Sequence, residues 1–333
     1  MPDPSSSKPL VVVTGAGGHL GGNLVRGLLS RGQRVRAVDL RKSRALEGLD
    51  VEWCHADLRD SASAFAALTG AEIVYHLAAV ISITGDPTGQ VWATNVGGVA
   101  NVAQAALQCG VRRLVHCSSV HAFDVELCRG RIDETSMRSV RPELPVYDRS
   151  KAAGEAELRK CIEKGLDAVV VNPTGMIGPY DFEPSRMGRL FLTLRTARVR
   201  TVVDGAFDWI DVRDVADAMI SAADRGRMGE SYLLGGHRLS IRELAELVAR
   251  VNKSRAPRVV VPMAVARGAA WTLARRRPSS DSSPLFTSES LHALMNCPTI
   301  VSRKAEVELD HHPRNAEDTL TDIFHWFDQP ERG

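Results

Sequence analysis

The sequence lacks the features that define several large classes of protein. Its six cysteines form no Cys-x-x-Cys pair and no cluster with histidine, which argues against a zinc site and a disulfide framework. No apolar run reaches the length of a membrane span. The formal net charge is only +2 at pH 7, which is too balanced for a nucleic-acid-binding domain. We therefore expect a cytoplasmic globular protein with no metal, no membrane span and no nucleic-acid partner.

The first half of the chain alternates between strand-like and helix-like segments. Leu10–Val13 is a valine-rich run typical of a buried parallel strand, and apolar residues recur at helical spacing from Leu20 to Ser30. This alternation predicts an α/β fold with a doubly wound parallel sheet, and it fades after Gly178. We expect a sheet-forming core of residues 8–178 plus about 201–238, a smaller discontinuous C-terminal lobe of about 179–200 and 239–330, and a disordered tail at 1–7.

A glycine-rich turn joins the first predicted strand to the first predicted helix. Gly15, Gly18 and Gly21 have the spacing Gly-x-x-Gly-x-x-Gly, which lets the backbone approach a pyrophosphate at a helix N-terminus. The spacing alone is weak evidence, but its position between a strand and a helix strengthens it. The turn therefore predicts a Rossmann dinucleotide-binding fold.

Asp39 ends the second predicted strand and bears on the choice of cofactor. An acidic side chain there accepts hydrogen bonds from the adenosine ribose and repels a 2′-phosphate, which favours NAD over NADP. Arg41 and Lys42 follow and would favour a phosphate, but they lie beyond the strand tip, where we expect them to be solvated. Asp57 ends the third strand, where it would either contact the adenine or cap a helix.

Tyr147 and Lys151 have the spacing Tyr-x-x-x-Lys, which places a phenol and an ammonium on one face of a helix. A neighbouring Lys⁺ and the positive ring of an oxidised nicotinamide both favour the phenolate, so Tyr147 is a candidate proton donor and acceptor. Ser118 and Ser119 follow the predicted strand at Leu114. One of them would hydrogen-bond a substrate oxygen, and the other would serve only as a cap or turn residue.

In this order, the motifs resemble those of the extended short-chain dehydrogenases/reductases. The resemblance is strong from about residue 9 to 250 and loose beyond it. It rests on the glycine turn, Asp39, Asp57-Leu58, His76-Leu77-Ala78-Ala79, Asn95, Ser118-Ser119, Tyr147-x-x-x-Lys151 and Asn172-Pro-Thr-Gly-Met-Ile-Gly-Pro179.

The resemblance implies a role for each matching position. It makes Tyr147 the acid/base, Lys151 the residue that tunes it, and Ser119 the partner serine. It makes the core an NAD-binding unit and the smaller lobe the substrate-binding part. The implied cofactor contacts are Gly15, Gly18, His19, Leu20, Gly21, Asp39, Asp57, Leu58, Leu77, Ala78, Ala79, Tyr147, Lys151, Pro173 and Thr174.

The sequence is compared with two branches of this family. Nucleotide-sugar epimerases and dehydratases commonly have an arginine where this chain has Phe207, and an asparagine where it has Gly175. Such an arginine would neutralise the substrate diphosphate. The chain is closer in motif to the dihydroflavonol reductases and hydroxysteroid dehydrogenases, although Asn172 replaces their usual arginine before Pro173. We therefore expect an oxidoreductase acting on a secondary alcohol or ketone of a largely apolar molecule. The alternative is a nucleotide-sugar epimerase or dehydratase with tightly bound NAD.

The expected substrate pocket is mostly apolar. Met187 and Phe191 are equally compatible with an ordinary core, and His121 with a structural role. Relatives suggest a homodimer formed through the helices at Asn95–Gln108 and Lys151–Lys164. The mildly amphipathic segment Pro262–Arg277 would cap the cleft or touch a membrane surface. The candidate substrate contacts are Val80, His121, Met176, Met187, Phe191 and Trp209.

Overall fold

A computed structural model describes residues 8–195, 201–266, 268, 294, 295 and 297–329 of the chain. The tail predicted at 1–7 and most of Pro262–Arg277 lie outside these residues. The elements up to the end of the predicted core are β1 (Leu10–Thr14), α1 (His19–Ser30), β2 (Arg34–Asp39), β3 (Glu52–His55), α2 (Ser61–Leu68), β4 (Ala71–His76), α3 (Gln90–Trp92), α4 (Val99–Gln108), β5 (Arg113–Cys117), β6 (Arg131–Ile132), α5 (Val146–Ile162), β7 (Ala168–Pro173) and β8 (Gly175–Ile177).

The remaining elements mix short strands with helices. They are α6 (Arg186–Arg195), β9 (Thr201–Val203), β10 (Ala206–Asp211), α7 (Val212–Arg225), β11 (Ser231–Leu234), β12 (His237–Ser240), α8 (Ile241–Val251), β13 (Val259–Val261), β14 (Thr299–Ile300), α9 (Arg303–Leu309) and α10 (Ala316–Phe327). Ser240 and Glu243 form a capping box at the start of α8, with both of its hydrogen bonds present.

Seven parallel strands form one sheet in the order β11-β7-β5-β4-β1-β2-β3, which confirms the predicted Rossmann-type fold. Every residue of β1 is buried, as expected for a central strand covered on both faces. The chain runs outward from β1 to β2 on one side and to β4 on the other. The carboxyl ends of β1 and β4 therefore border the crevice in which such sheets bind ligands.

Helices cover both faces of this sheet. The buried side chains of α1 and α7 pack on one face together with α9, and those of α2, α4 and α5 pack on the other. A π-helical turn, Ala93–Gly98, precedes α4, so the start of the helix predicted at Asn95 has a wider turn than an α-helix. The catalytic-motif helix α5 begins at Val146, before the start predicted at Lys151, with Asp148 in its first turn, where a negative charge favours helix formation.

A second apolar core lies outside the large sheet. Its side chains come from β8, α6, β9, β10, α8 and α10, and β8, β10 and β12 form a three-stranded sheet beside it. The prediction that a strand near 201 joins the large sheet is wrong, because β9 pairs with β13 instead. The aromatic residues at Phe324–Phe327 form the last turn of α10. The division into a cofactor core and a substrate lobe remains a prediction.

Candidate active site

The glycine turn after β1 has no room for a side chain at Gly15 or Gly21. Gly15 has φ of +67°, and a Cβ atom there would lie 2.7 Å from the backbone nitrogen of Ala78. A Cβ atom on Gly21 would lie 2.2 Å from the backbone oxygen of Gly15. The turn thus packs directly against the segment that follows β4. Since α1 begins at His19, the amides of its first turn have no intrahelical acceptor and are available to an anion.

Asp39 holds this turn in place from the end of β2. Its Oδ2 accepts a hydrogen bond from the Gly17 amide at 2.9 Å, and its Oδ1 accepts one from the Leu40 amide at 2.7 Å. Ser43 adds a second tie by donating to the backbone oxygen of Gly17 at 2.9 Å. The carboxylate is therefore fixed beside the turn, where the sequence placed a ribose contact.

Asp57 lies at the end of β3 without the helix-capping role that was its alternative. The cap of α2 is Asp60, which accepts from the Ser63 amide at 2.8 Å. Asp57 instead pairs with Arg59 at 2.6 Å, and hydrogen bonds from Arg59 lower the pKa of its carboxyl to about 2. The neighbouring Leu58 is buried in the core between the sheet and α2.

The other predicted cofactor contacts lie at the carboxyl ends of the strands. The Thr14 hydroxyl accepts from the amides of Leu77 and Ala78 at 3.2 and 3.4 Å, and Ala79 is exposed beyond them. Pro173 ends β7. Thr174 is buried, with its hydroxyl donating to Asp208 Oδ1 at 2.7 Å. The His19 ring donates to the backbone oxygen of Pro179 at 3.0 Å, a contact that the sequence did not predict.

Ser119, Tyr147 and Lys151 come together beside the end of β5. The Ser119 hydroxyl accepts from the His121 amide at 3.2 Å and is hydrogen-bonded to the Tyr147 side chain. Lys151 Nζ donates to the backbone oxygen of Cys117 at 3.0 Å and is buried. Both partners of the Tyr-x-x-x-Lys motif thus reach the strand end that carries the serine.

Ser118 and Ser119 differ in their surroundings. Ser118 donates its backbone amide to Val171 at 2.8 Å, and its buried hydroxyl has no hydrogen-bond partner in the described part of the chain. Only Ser119 is hydrogen-bonded to Tyr147. The geometry thus favours Ser119 as the partner serine.

The predicted proton transfer by Tyr147 depends on the pKa of its phenol. Burial raises the pKa of this phenol above its usual value; the hydrogen bond from Ser119 opposes the rise, and Lys151 is not among the groups that set it. Burial also lowers the pKa of Lys151. The Lys151 ammonium is directed at the Cys117 carbonyl.

Two stacked histidines lie behind Lys151. His76 and His116 are buried with ring centroids 5.2 Å apart. Burial lowers the pKa of His76 to about 3 and that of His116 well below its ordinary value, and the charge of Lys151 acts in the same direction. Both rings are therefore neutral at physiological pH.

A buried polar network that the sequence did not predict holds the backbone of Ser119. Asn172 Nδ2 donates to the backbone oxygen of Ser119 at 3.0 Å and to Glu155 Oε1 at 2.7 Å. Arg138 reaches Glu155 Oε2 at 2.9 Å from a distant loop. Its guanidinium lies 3.8 Å from the centre of the Phe123 ring. Arg138 supplies the positive charge of this network.

Asn95 connects the crevice to the catalytic helix. Its side chain exchanges hydrogen bonds with both backbone atoms of Val80, at 2.8 and 2.9 Å, and donates to Ser150 at 3.0 Å. Ser150 in turn donates to the backbone oxygen of Tyr147 at 2.7 Å. The π-helical turn that carries Asn95 thus fixes the loop after β4 relative to α5.

The predicted substrate residues divide into two groups. Phe191 and Trp209 are 1% and 2% exposed and belong to the second apolar core, with Met187 packed against it. Val80 and Met176 are half-buried near the strand ends. The structure therefore does not bring all six together, and it places Phe191 and Trp209 in the core rather than on an open surface.

His121 is the predicted substrate residue that lies nearest the catalytic motif. Its ring meets the edge of the Tyr147 ring with centroids 5.6 Å apart and stacks on Phe207 at 6.2 Å. Asp148 lies on its other side, with His121 Nδ1 3.1 Å from Asp148 Oδ1. The sequence singled out His121 but missed Asp148, although it directly follows Tyr147.

Phe207 and Gly175, the two departures from the nucleotide-sugar branch, are in contact. A Cβ atom on Gly175 would lie 2.6 Å from the Phe207 ring. An asparagine at 175 is therefore incompatible with Phe207 in its present position. The two differences are therefore coupled, because the Phe207 ring occupies the space that a side chain at position 175 would need.

The chain belongs to the NAD dependent epimerase/dehydratase family, whose model matches residues 11–235. It is an enzyme of the extended short-chain dehydrogenase/reductase type. Sterol demethylase protein B of Methylococcus capsulatus is 36% identical over 326 residues, which cover 97% of this chain and 98% of that protein. Cinnamoyl-CoA reductase 1 of Oryza sativa subsp. japonica is 32% identical over 74% of this chain and 78% of its own. The crystal structure of gox2253 is 31% identical and covers 98% of this chain and 99% of its own, with a TM-score of 0.84.

The described residues lack two kinds of feature. None of their helices is both long and apolar enough to cross a bilayer. They contain no group of three or more His, Cys, Asp or Glu side chains arranged to hold a metal ion.

Proposed function

We propose that the protein is an NAD-dependent oxidoreductase that moves a hydride between the nicotinamide and a secondary alcohol or ketone of a largely apolar molecule. The observation that carries this proposal is the contact of the Ser119 hydroxyl with Tyr147, with buried Lys151 one helical turn further along α5. A phenol and a hydroxyl at one point are suited to binding a single substrate oxygen and moving its proton.

The residues around the crevice fit a dinucleotide. The glycine turn excludes side chains, the first turn of α1 offers free amides, and Asp39 is fixed beside them. Gly15, Gly18 and Gly21 would hold the pyrophosphate together with the amides of His19 and Leu20. When bound, NAD supplies the site that accepts or gives the hydride.

The protein's own part in the reaction is to bind the substrate oxygen and move its proton. Ser119 orients the oxygen by hydrogen bonding. Tyr147 takes the proton as an alcohol becomes a ketone and returns it in the reverse direction. Lys151 holds a positive charge behind Tyr147, and neutral His76 and His116 add no competing charge.

The aromatic side chains beside the Ser119–Tyr147 contact favour an apolar substrate. Phe207 stacks on His121 and meets Trp209 at a centroid distance of 5.5 Å. A nucleotide-sugar enzyme needs a cation for the diphosphate, and Phe207 occupies the position where that branch has its arginine. The name of the Methylococcus relative refers to sterols, and we propose a sterol or similar polycyclic alcohol as the substrate class.

A ligand panel tests the substrate class. With NAD present, sterols and steroid ketones should raise the unfolding temperature, whereas uridine and thymidine diphosphate sugars should not. A ligand at a hundredfold excess over its Kd stabilises the folded state by about 2.7 kcal/mol, well within the range of a thermal-shift measurement. Stabilisation by a nucleotide sugar alone would contradict the proposal and favour an epimerase or dehydratase.

Replacement of Asp39 tests the choice of NAD over NADP. In D39N the charge that would repel a 2′-phosphate is gone, while the side-chain oxygen still accepts from the Gly17 amide. We expect the Kd for NADH to rise about tenfold and the preference for NADH over NADPH to disappear, as measured by nicotinamide fluorescence. Tighter binding of NADPH than NADH by the unaltered protein would overturn the role of Asp39. K164S, which changes an exposed side chain after α5, is the control.

We also propose a homodimer that uses α4 and α5, and a cytoplasmic location. The two helices pack against each other on one face of the sheet. Light scattering on the purified protein measures its mass directly, and a mass of 36.2 kDa would exclude the dimer.

A further inference from the structure

His121 and Asp148 form a couple at the edge of the proposed active site. His121 follows Ser119 on the turn after β5, and Asp148 follows Tyr147 on α5. Each member of this His–Asp pair thus lies within two residues of a proposed catalytic side chain. The His121 side chain is 29% exposed and that of Asp148 is 15% exposed, so the ring reaches solvent while the carboxylate behind it is largely covered.

The contact with Asp148 determines the tautomer of His121. Since Nδ1 lies 3.1 Å from the carboxylate oxygen, the neutral ring carries its proton on Nδ1 and its lone pair on Nε2. Nε2 has no hydrogen-bond partner among the residues that the structure describes. Burial acts to lower the pKa of His121, but the charge and hydrogen bond of Asp148 outweigh it and raise this pKa above its usual value. The ring is therefore a strengthened base with a free nitrogen.

The groups that face the ring are few in the described structure. Helix α5 contributes Tyr147 and Asp148, and β10 contributes Phe207. Asp148 is the charged group in direct contact with the ring. Lys151 lies one helical turn further on, where it binds the Cys117 carbonyl and is not among the groups that shift the His121 pKa.

We propose that His121, held by Asp148, is a second proton-transfer residue of the cleft, which removes and returns a proton at the carbon next to the substrate carbonyl. This inference rests on the proposed function, because it needs a ketone bound at Ser119 and Tyr147. The C–H bond breaks, its electron pair forms the enolate, and the proton goes to His121 Nε2. The reverse step returns a proton to the carbon, so no oxidant or reductant is consumed.

The same two donors that bind the ketone stabilise the enolate. Ser119 and Tyr147 address the carbonyl oxygen, which gains negative charge as the carbon loses its proton. A carbon next to a carbonyl lies within one bond of the group they hold, and the His121 ring contacts the Tyr147 ring directly. The cleft thus contains both the donors and the base that enolisation requires.

Deuterium exchange separates this step from hydride transfer. The probe is a saturated 3-ketosteroid, incubated with the protein and NAD⁺ in D₂O, where no hydride is available to reduce it. We expect the unaltered protein to introduce deuterium at the carbons beside the carbonyl, measured by mass spectrometry. In H121Q the exchange rate should fall about a hundredfold or more, while reduction of the same ketone with NADH falls tenfold or less.

Two further variants guard against a purely structural effect. H312Q is the control, because His312 belongs to another His–Asp pair. Its ring lies 3.2 Å from Asp310, and both side chains are more than 70% exposed. This variant should leave both rates unchanged. D148N keeps an oxygen for Nδ1 but removes the charge. Because the base must be neutral, exchange rises with pH through the His121 pKa, and in D148N this rise should move to lower pH.

The outcomes distinguish the two proposals. An unaltered protein that reduces the ketone without exchanging it overturns the role of His121 alone. An equal fall of exchange and reduction in H121Q does the same, because it indicates a shared structural cause. A protein that neither binds nor reduces steroid ketones overturns the proposed substrate class.

Discussion

Y147F is expected to lower kcat for alcohol oxidation and for ketone reduction by about 10²–10⁴-fold, the usual contribution of a positioned acid or base. Phenylalanine keeps the ring that contacts His121 but loses the hydroxyl that is bonded to Ser119. The protein should therefore fold normally and lose its proton transfer. Turnover is measured by nicotinamide absorbance at saturating cofactor and substrate.

The two adjacent serines provide a matched control for this result. S119A removes the hydroxyl that contacts Tyr147 and should also reduce kcat, whereas S118A removes a buried hydroxyl with no partner among the described residues and should not. Full turnover in Y147F, or equal losses in S118A and S119A, would show that the proton is handled elsewhere.

The pH dependence should follow from the state of the Tyr147 phenol. Burial raises its pKa, so the phenolate that accepts a proton in alcohol oxidation forms only as the pH rises. Oxidation should therefore quicken with increasing pH up to that pKa, and ketone reduction, which needs the neutral phenol, should persist at neutral pH. A maximum of alcohol oxidation below pH 7 would contradict this assignment.

Local patterns were sufficient to predict the large sheet and the position of the catalytic motif. Valine-rich runs such as Leu10–Val13 have no other stable place than a covered parallel sheet, and Gly15 and Gly21 mark a turn with no room for side chains. Tyr147 and Lys151 are four residues apart on one helix, so the helix alone brings them close together. Features of this kind lie within a single element and its neighbours in the sequence.

Features that join distant segments were not predictable in this way. The three-residue strands β8 and β9 are too short for a clear alternation, and their partners lie far along the chain. Phe207 and Gly175 each looked like an isolated departure, yet they are in contact. The pKa of Tyr147 depends on burial, which spacing does not reveal.

The Arg138–Glu155 pair is the clearest case of such a distant contact, and its disruption should have the largest effect on stability. The side chains are 24% and 4% exposed, and Arg138 Nε lies 2.9 Å from Glu155 Oε2. R138L leaves the glutamate buried without its cation, which typically costs about 3–5 kcal/mol of folding free energy. We expect the urea concentration at the unfolding midpoint to fall, as measured by circular dichroism.

A second substitution separates the charge from the packing. Glutamine at 155 keeps an oxygen that accepts from Asn172, but it carries no charge to leave unpaired. The double variant R138L/E155Q should therefore recover most of the stability lost in R138L, and the two changes should be strongly non-additive because the side chains touch. R242L, which breaks an exposed pair with Glu246 on α8, should leave the midpoint unchanged. Additive losses in the double variant would mean that Arg138 acts through its contact with Phe123 instead. Because Asn172 links Glu155 to the backbone of Ser119, the charge explanation also requires that kcat fall in R138L and return in the double variant.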